Sequence, residues 1–196
     1  MPNIHPDINS DVKSNTQTLY QTVSNDFFEQ CKQVKLVVFD VDGVFSDGQI
    51  YLGNNNEEFK AFNTKDGYGV KALAKCGISV GIITGRKSAI VEQRMRSLNV
   101  HYLLQGREDK YAALTELMQL SDYQSHQVAS VGDDMPDIGM FTLSAIKIAV
   151  QDAHPLVKKQ ANHITTLGGG KGAVREVCDL FLQANNLLST IHGASI

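Results

Sequence analysis

The sequence predicts a doubly wound α/β domain built on a mainly parallel sheet. Three observations lead there. Short apolar runs end in turn or polar residues, segments of helical spacing lie between them, and acidic residues stand at or just after the ends of two of the runs.

Taken in order, residues 1–33 read as a polar extension rich in Asn, Gln, Ser, Thr and Asp, with Leu19, Val23, Phe27 and Phe28 marking an amphipathic helix toward its end. The main domain spans 34–188 and a short tail spans 189–196. It opens at residues 35–39, a β-branched apolar run suited to a strand buried on both faces, which places Asp40 at its carboxyl end. Residues 49–52 and 58–62 flank Gly53-Asn-Asn-Asn56, whose residues tolerate positive φ, so 49–62 is expected to project as a β-hairpin. It is too small to be a cap domain. Further strands are expected at 78–84, 100–104, 127–131 and 146–150. Val91, Met95 and Leu98 form one helical stripe, Leu114, Leu117 and Met118 another, and Val174, Val177 and Phe181 a third after the glycine-rich loop 168–172. Core packing accounts for all three.

Composition excludes several classes. The net charge of -3, from 18 basic and 21 acidic residues, includes no basic block dense enough to track a nucleic-acid backbone. Cys31, Cys76 and Cys178 are odd in number and widely spaced, and read as reduced thiols in a cytoplasmic protein. No segment resembles a secretion signal or approaches the ~20 apolar residues of a membrane span, so neither membrane nor nucleic acid is an expected partner. The histidines show no mutual spacing suited to metal binding, and His154 before Pro155 is expected to shape a turn.

The chemistry gathers at strand ends, where doubly wound sheets bind ligands. Asp40-Val-Asp42-Gly43 sets two carboxylates two positions apart at a turn, Thr84-Gly85-Arg86 ends the next strand, Lys110 precedes a helix, and Gly132-Asp-Asp134 ends a later strand with Asp137 close behind. Singly, each has an ordinary explanation: a solvated turn, a helix cap, a surface lysine, a loop. Their order suggests phosphoryl transfer. A phosphomonoester dianion repels a carboxylate nucleophile, so the site must supply cations and oriented donors. The side chains of Asp40 and Asp133 and the backbone carbonyl of Asp42 could hold Mg2+, while Thr84, Gly85 and Lys110 hold phosphate oxygens. Asp40 would then be the nucleophile and Asp42 the acid and later the base. Asp134 is given a supporting role, and Asp137 is left open.

The series Asp40-x-Asp42, Thr84, Lys110 and Gly132-Asp-Asp134 resembles the four motifs of the haloacid dehalogenase superfamily across about residues 34–149. The hairpin, Asp66-Gly-Tyr-Gly69, Asp152-Ala-His-Pro155 and the segment 169–176 are similar to sugar-acid phosphatases of its capless branch. That resemblance implies Mg2+-dependent release of inorganic phosphate from an eight-carbon sugar acid phosphate on the way to lipopolysaccharide. It also implies a homotetramer in which hairpins build an inner barrel and a neighbouring subunit covers each active site. On the same analogy the loop 169–172, with Lys171 and Arg175 nearby, is a lid contributed in trans.

The sugar carboxylate calls for cations, and Arg86, Lys65, Lys171 and Arg175 are the candidates, with Lys65 expected beside a turn at 66–69. Lys65 and Lys171 stand where the family frequently carries Arg, and a lysine offers a point charge rather than a planar fork. Three rival readings remain open from sequence: a phosphatase for a nine-carbon sugar acid phosphate, a phosphoacceptor receiver domain, and a catalytically inert oligomerisation module.

Overall fold

The computed structural model describes residues 14–55 and 57–191, so 1–13 of the predicted extension, Asn56 of the predicted hairpin and 192–196 of the predicted tail lie outside the described residues. The described residues open with an antiparallel pair, β1 (Asn15–Gln17) and β2 (Thr22–Ser24), followed by α1 (Asn25–Cys31). Then come β3 (Leu36–Phe39), the hairpin strands β4 (Tyr51–Leu52) and β5 (Glu58–Phe59), and α2 (Thr64–Lys75). The alternation continues with β6 (Ser79–Thr84), α3 (Ala89–Ser97), β7 (Tyr102–Gln105), α4 (Lys110–Ser121) and β8 (Val128–Gly132). It ends with α5 (Ile138–Leu143), β9 (Ile146–Ala149), α6 (Pro155–Gln160), β10 (His163–Ile164) and α7 (Ala173–Ala184).

Six strands form one parallel sheet in the order β10-β9-β8-β3-β6-β7. β3 is fully buried, and its side chains alternate between two apolar clusters. Val37 and Phe39 pack with α2, α3 and α7, whereas Leu36 and Val38 face Leu114 and Leu117 of α4 and Met140 of α5. The three predicted helical stripes all pack into this core. From β3 the chain first builds outward through β6 and β7, then returns to β8 on the opposite side. Loops leaving β3 and β8 therefore diverge around a crevice at the carboxyl ends of the strands.

The structure corrects several expectations. Leu19 lies in the bend joining β1 to β2 and Val23 in β2, neither in a helix: Ser24 ends β2 and its hydroxyl accepts the Phe27 amide at 3.3 Å, so helix geometry starts only at Asn25. Val23, Phe27 and Cys31 join the main core, and the first segment is pinned to α7 through Tyr20 Oη to Asp179 Oδ2 at 2.9 Å. Residues 66–69 form the first turns of α2 and no free turn, because the Asn63 side chain accepts the Lys65 amide at 2.9 Å and caps the helix. β10, too short to give a periodic signal, adds the sixth strand.

The predicted hairpin is present, pairing Tyr51 with Phe59 and Leu52 with Glu58, and it exposes Tyr51, Leu52 and Phe59. Within one chain the glycine-rich loop packs against its own domain. Gly168 and Gly169 are buried, Gly169 donates to Asp152 Oδ1 at 2.9 Å, and Gly170 donates to the Val44 carbonyl at 2.9 Å. Cys31 and Cys178 are buried and Cys76 half-buried, all three as free thiols.

Candidate active site

The parallel register fixes where the chemistry converges. Phe39 pairs with Ile82 on β6 and with Val131 on β8, and the Asp40 amide continues the ladder to the Val131 carbonyl at 3.1 Å. Asp40, Thr84 and Asp133 thus emerge from three adjacent strands at the same edge of the sheet. They line one cleft of about 530 Å3 together with Asp42, Gly48, Gly85, Arg86, Glu108, Lys110, Asp134, Pro136 and Asp137.

At the floor of the cleft, Lys110 Nζ lies 2.8 Å from Asp40 Oδ1 and 2.6 Å from Asp137 Oδ1, with all three side chains buried or nearly so. Burial opposes the Lys110 charge, but the two carboxylates outweigh it and hold the ammonium above the ordinary lysine range. The other Asp137 oxygen accepts the amides of Asp133 at 2.8 Å and Asp134 at 3.1 Å. Asp137 thereby orients Lys110 and shapes the turn after β8.

Asp40, Asp133 and Asp137 each bring a carboxylate oxygen within 4.8 Å of the others. Burial, then the proximity of Asp137 and Asp40, pushes the Asp133 carboxyl up to about 8. Burial likewise raises Asp40 to about 6, against the opposing pull of Lys110. Among the described residues Asp133 Oδ1 is buried without a hydrogen-bond partner. Mutually repelling carboxylates with an unpartnered buried oxygen fit a hard dication. Because Lys110 and two amides already occupy Asp137, the oxygens left for a metal are those of Asp40 and Asp133, with the Asp42 carbonyl on the same turn. Gly43, at φ +91°, gives that turn its shape, and a Cβ there would fall on the Asp133 carboxylate.

Thr84 is buried at the end of β6, and a Cβ on Gly85 would meet nothing within 4 Å, so the backbone there faces open cleft. Arg86 stands at the rim, half-exposed, with Nη2 3.4 Å from Glu58 Oε1 and Nε 4.0 Å from Asp42 Oδ2. Asp134 is exposed and caps the short turn that follows, its side chain accepting the Met135 amide at 2.8 Å.

Three predicted rim residues lie outside this cleft. Lys65 is exposed in the first turn of α2, Lys171 is exposed beyond the buried glycines, and Arg175 is held on α7. The Arg175 guanidinium bonds Asp179 Oδ1 at 2.8 Å and stacks 4.7 Å from the Tyr68 ring, which withdraws it from the pocket. Sequence reasoning missed Lys60, whose ammonium contacts Asp42 Oδ1, and Glu58 beside it. The alternation Glu58, Phe59, Lys60 carries a signal for both: it puts the two charges on one face of β5 and its continuation, opposite Phe59.

Known proteins resemble both this chain and this geometry. Residues 103–174 match the model of haloacid dehalogenase-like hydrolases. The 3-deoxy-D-manno-octulosonate 8-phosphate phosphatase of Yersinia pestis is 45% identical over 179 residues, covering 91% of this chain and 96% of that protein. The chain belongs to this phosphatase family. The crystal structure of the Yersinia pestis enzyme superposes with a TM-score of 0.91 at 43% identity, covering 94% of this chain and 100% of the other. A Moraxella catarrhalis family member, solved in complex with magnesium ion, phosphate ion and the octulosonate, superposes at a TM-score of 0.82 and 40% identity, covering 85% of this chain and 97% of that one. Family membership agrees with a capless haloacid dehalogenase fold, a hydrolase function and magnesium as cofactor. Among the described residues no helix is long and apolar enough to cross a membrane.

Proposed function

We propose that this chain hydrolyses 3-deoxy-D-manno-octulosonate 8-phosphate to the free octulosonate and inorganic phosphate, as a step of lipopolysaccharide biosynthesis in the cytoplasm. The observation that carries this reading is the convergence of Asp40, Asp42, Thr84, Lys110 and Asp133 in one cleft of a chain 45% identical to such a phosphatase.

In this reading Asp40, Asp133 and the Asp42 carbonyl would hold Mg2+, which would supply positive charge for the phosphoryl oxygens. Thr84 Oγ1, the Gly85 amide and Lys110 hold the remaining oxygens and keep phosphorus in line with Asp40. An Asp40 carboxylate oxygen bonds to phosphorus as the bond from phosphorus to the ester oxygen breaks. Asp42 gives its proton to that departing oxygen. The aspartyl phosphate then opens when water, deprotonated by Asp42, attacks phosphorus, returning Asp40 as carboxylate and releasing phosphate. Arg86 at the rim faces the sugar carboxylate. The rim assignments of Lys65, Lys171 and Arg175 would need a neighbouring copy to bring them to the cleft.

Assembly as a homotetramer is part of this reading. A capless site stays open to water unless a second copy covers it, and the exposed Tyr51, Leu52 and Phe59 on the hairpin would be buried by that contact. Light scattering of wild type and Leu52→Ser tests the assembly: only monomer in the wild type overturns it.

Phosphate release from a panel of sugar phosphates, with and without chelator, tests the activity. Chelator-sensitive selectivity for the eight-carbon ulosonate ester is the expected result, preference for a nine-carbon homologue would reassign the substrate, and a fully active Asp40→Asn would remove the nucleophile.

A further inference from the structure

The hairpin brings a buried cation to Asp42 that the reaction above does not use. The Lys60 side chain is 0% exposed, its ammonium contacts Asp42 Oδ1, and it lies 3.6 Å from Glu58 Oε1. Arg86 closes the set, 3.4 Å from Glu58 and 4.0 Å from Asp42 Oδ2. A lysine is buried this deeply only when its charge is met, and here the nearest partner is Asp42, which lies outside the cluster of Asp40, Asp133 and Asp137. The contact also links two separate segments of the chain: the turn after β3 and the residue just past β5.

We propose that Lys60 is a positioning residue for Asp42. Its ammonium anchors Oδ1, so Oδ2, the oxygen on the side of the rim residue Arg86, is the one presented to the leaving oxygen of the ester. The anchor is compatible with both chemical states of Asp42. When Oδ2 carries the proton to be given, Oδ1 is the carbonyl oxygen and still accepts from Lys60; after transfer, the same contact holds the carboxylate that takes a proton from water. Lys60 itself exchanges no proton or bond. Glu58 keeps the ammonium and Arg86 apart at a fixed spacing, so the hairpin sets the aim of the acid as well as offering a surface to a second copy.

The inference rests on the assignment of Asp42 as acid and base, and the experiment separates the two. Lys60→Met keeps the buried aliphatic stem and removes the ammonium; Lys60→Arg restores a charged donor. Single-turnover release of the alcohol is measured for the octulosonate ester and for 4-nitrophenyl phosphate, whose leaving group departs without a proton. Lys60→Met should lower the sugar-ester rate about 100-fold with KM unchanged, and the nitrophenyl rate by less than about threefold, with Lys60→Arg recovering most of the loss. Equal losses on both esters, or no loss on either, would overturn the role of Lys60. Asp42→Asn is run in parallel: if it is not selective for the sugar ester, the assignment of Asp42 fails and takes this inference with it. If Asp42→Asn is selective and Lys60→Met is not, only the inference fails. Thermal midpoints verify folding, and Lys60→Gln replaces Lys60→Met in the same comparison should the latter not fold.

Discussion

Gly169 lies against the main-chain carbonyl of Gly43, so closely that a Cβ on Gly169 would overlap that oxygen. The glycine-rich loop before α7 is thus a wedge behind the turn that carries Asp42, and the Gly170 amide fastens it to Val44 at 2.9 Å.

Gly169→Ala should force the two segments apart. An overpacked contact of this kind costs about 1–3 kcal/mol, and the displaced turn should also lose activity beyond the loss of stability. Urea denaturation and turnover below the melting range measure the two effects. Gly77→Ala serves as the comparison: Gly77 has positive φ, at 79°, which itself strains an alanine, but a Cβ there meets nothing within 4 Å. It should lower stability alone.

Lys110 neutralises the Asp40 and Asp137 carboxylates from 2.8 and 2.6 Å. Lys110→Met leaves both buried without their cation, which should destabilise the metal-free protein by about 3–5 kcal/mol. Turnover should fall at least about 100-fold even at saturating Mg2+, because one phosphate-holding charge is lost. Chelated and Mg2+-loaded melts beside steady-state rates check this; unchanged stability would mean that the ion pairs contribute little.

Asp133 presents a buried oxygen with no partner, next to Asp40. Mg2+ should therefore raise the thermal midpoint of the wild type, by about 2.7 kcal/mol of stability at a hundredfold excess over Kd. Asp133→Asn should abolish that shift while leaving the chelated protein no less stable than the wild type. Calorimetric titration with Mg2+ alone reads the binding without any turnover.

His163, in β10, stacks on Phe27 with ring centroids 5.0 Å apart, and burial lowers it to about 4. Its proton binds the unfolded chain more readily than the folded one, so its effect on stability is absent above the ordinary histidine range and grows as pH falls through about 6.5 toward 4. The resulting loss should be about 2 kcal/mol between pH 8 and pH 5. His163→Phe keeps the stacking and removes the proton site, so its stability should fall less than the wild type's over that interval. Urea midpoints at matched pH test it; parallel curves would show that His163 does not titrate on unfolding.

The α/β alternation, the position of Asp40 and Asp133 at strand ends, and the hairpin were legible in the chain itself. The reason is local: an apolar run of strand length, a helical stripe and a turn rich in Asn and Gly each encode their conformation within a dozen residues. Family motifs added the chemistry to those positions. What tertiary structure alone decided depends on pairs far apart in sequence. Asp137 became the buried partner of Lys110, Lys60 met Asp42 across the hairpin, and Arg175 stacked on Tyr68 instead of entering the cleft. The periodicity of Leu19, Val23 and Phe27 suggested one helix, yet Tyr20 bonding to α7 and capping by Ser24 made a strand pair and a shorter helix of it. A charge finds its partner only when the chain is packed, because the cost of burying it is met by whichever opposite charge the fold brings within reach.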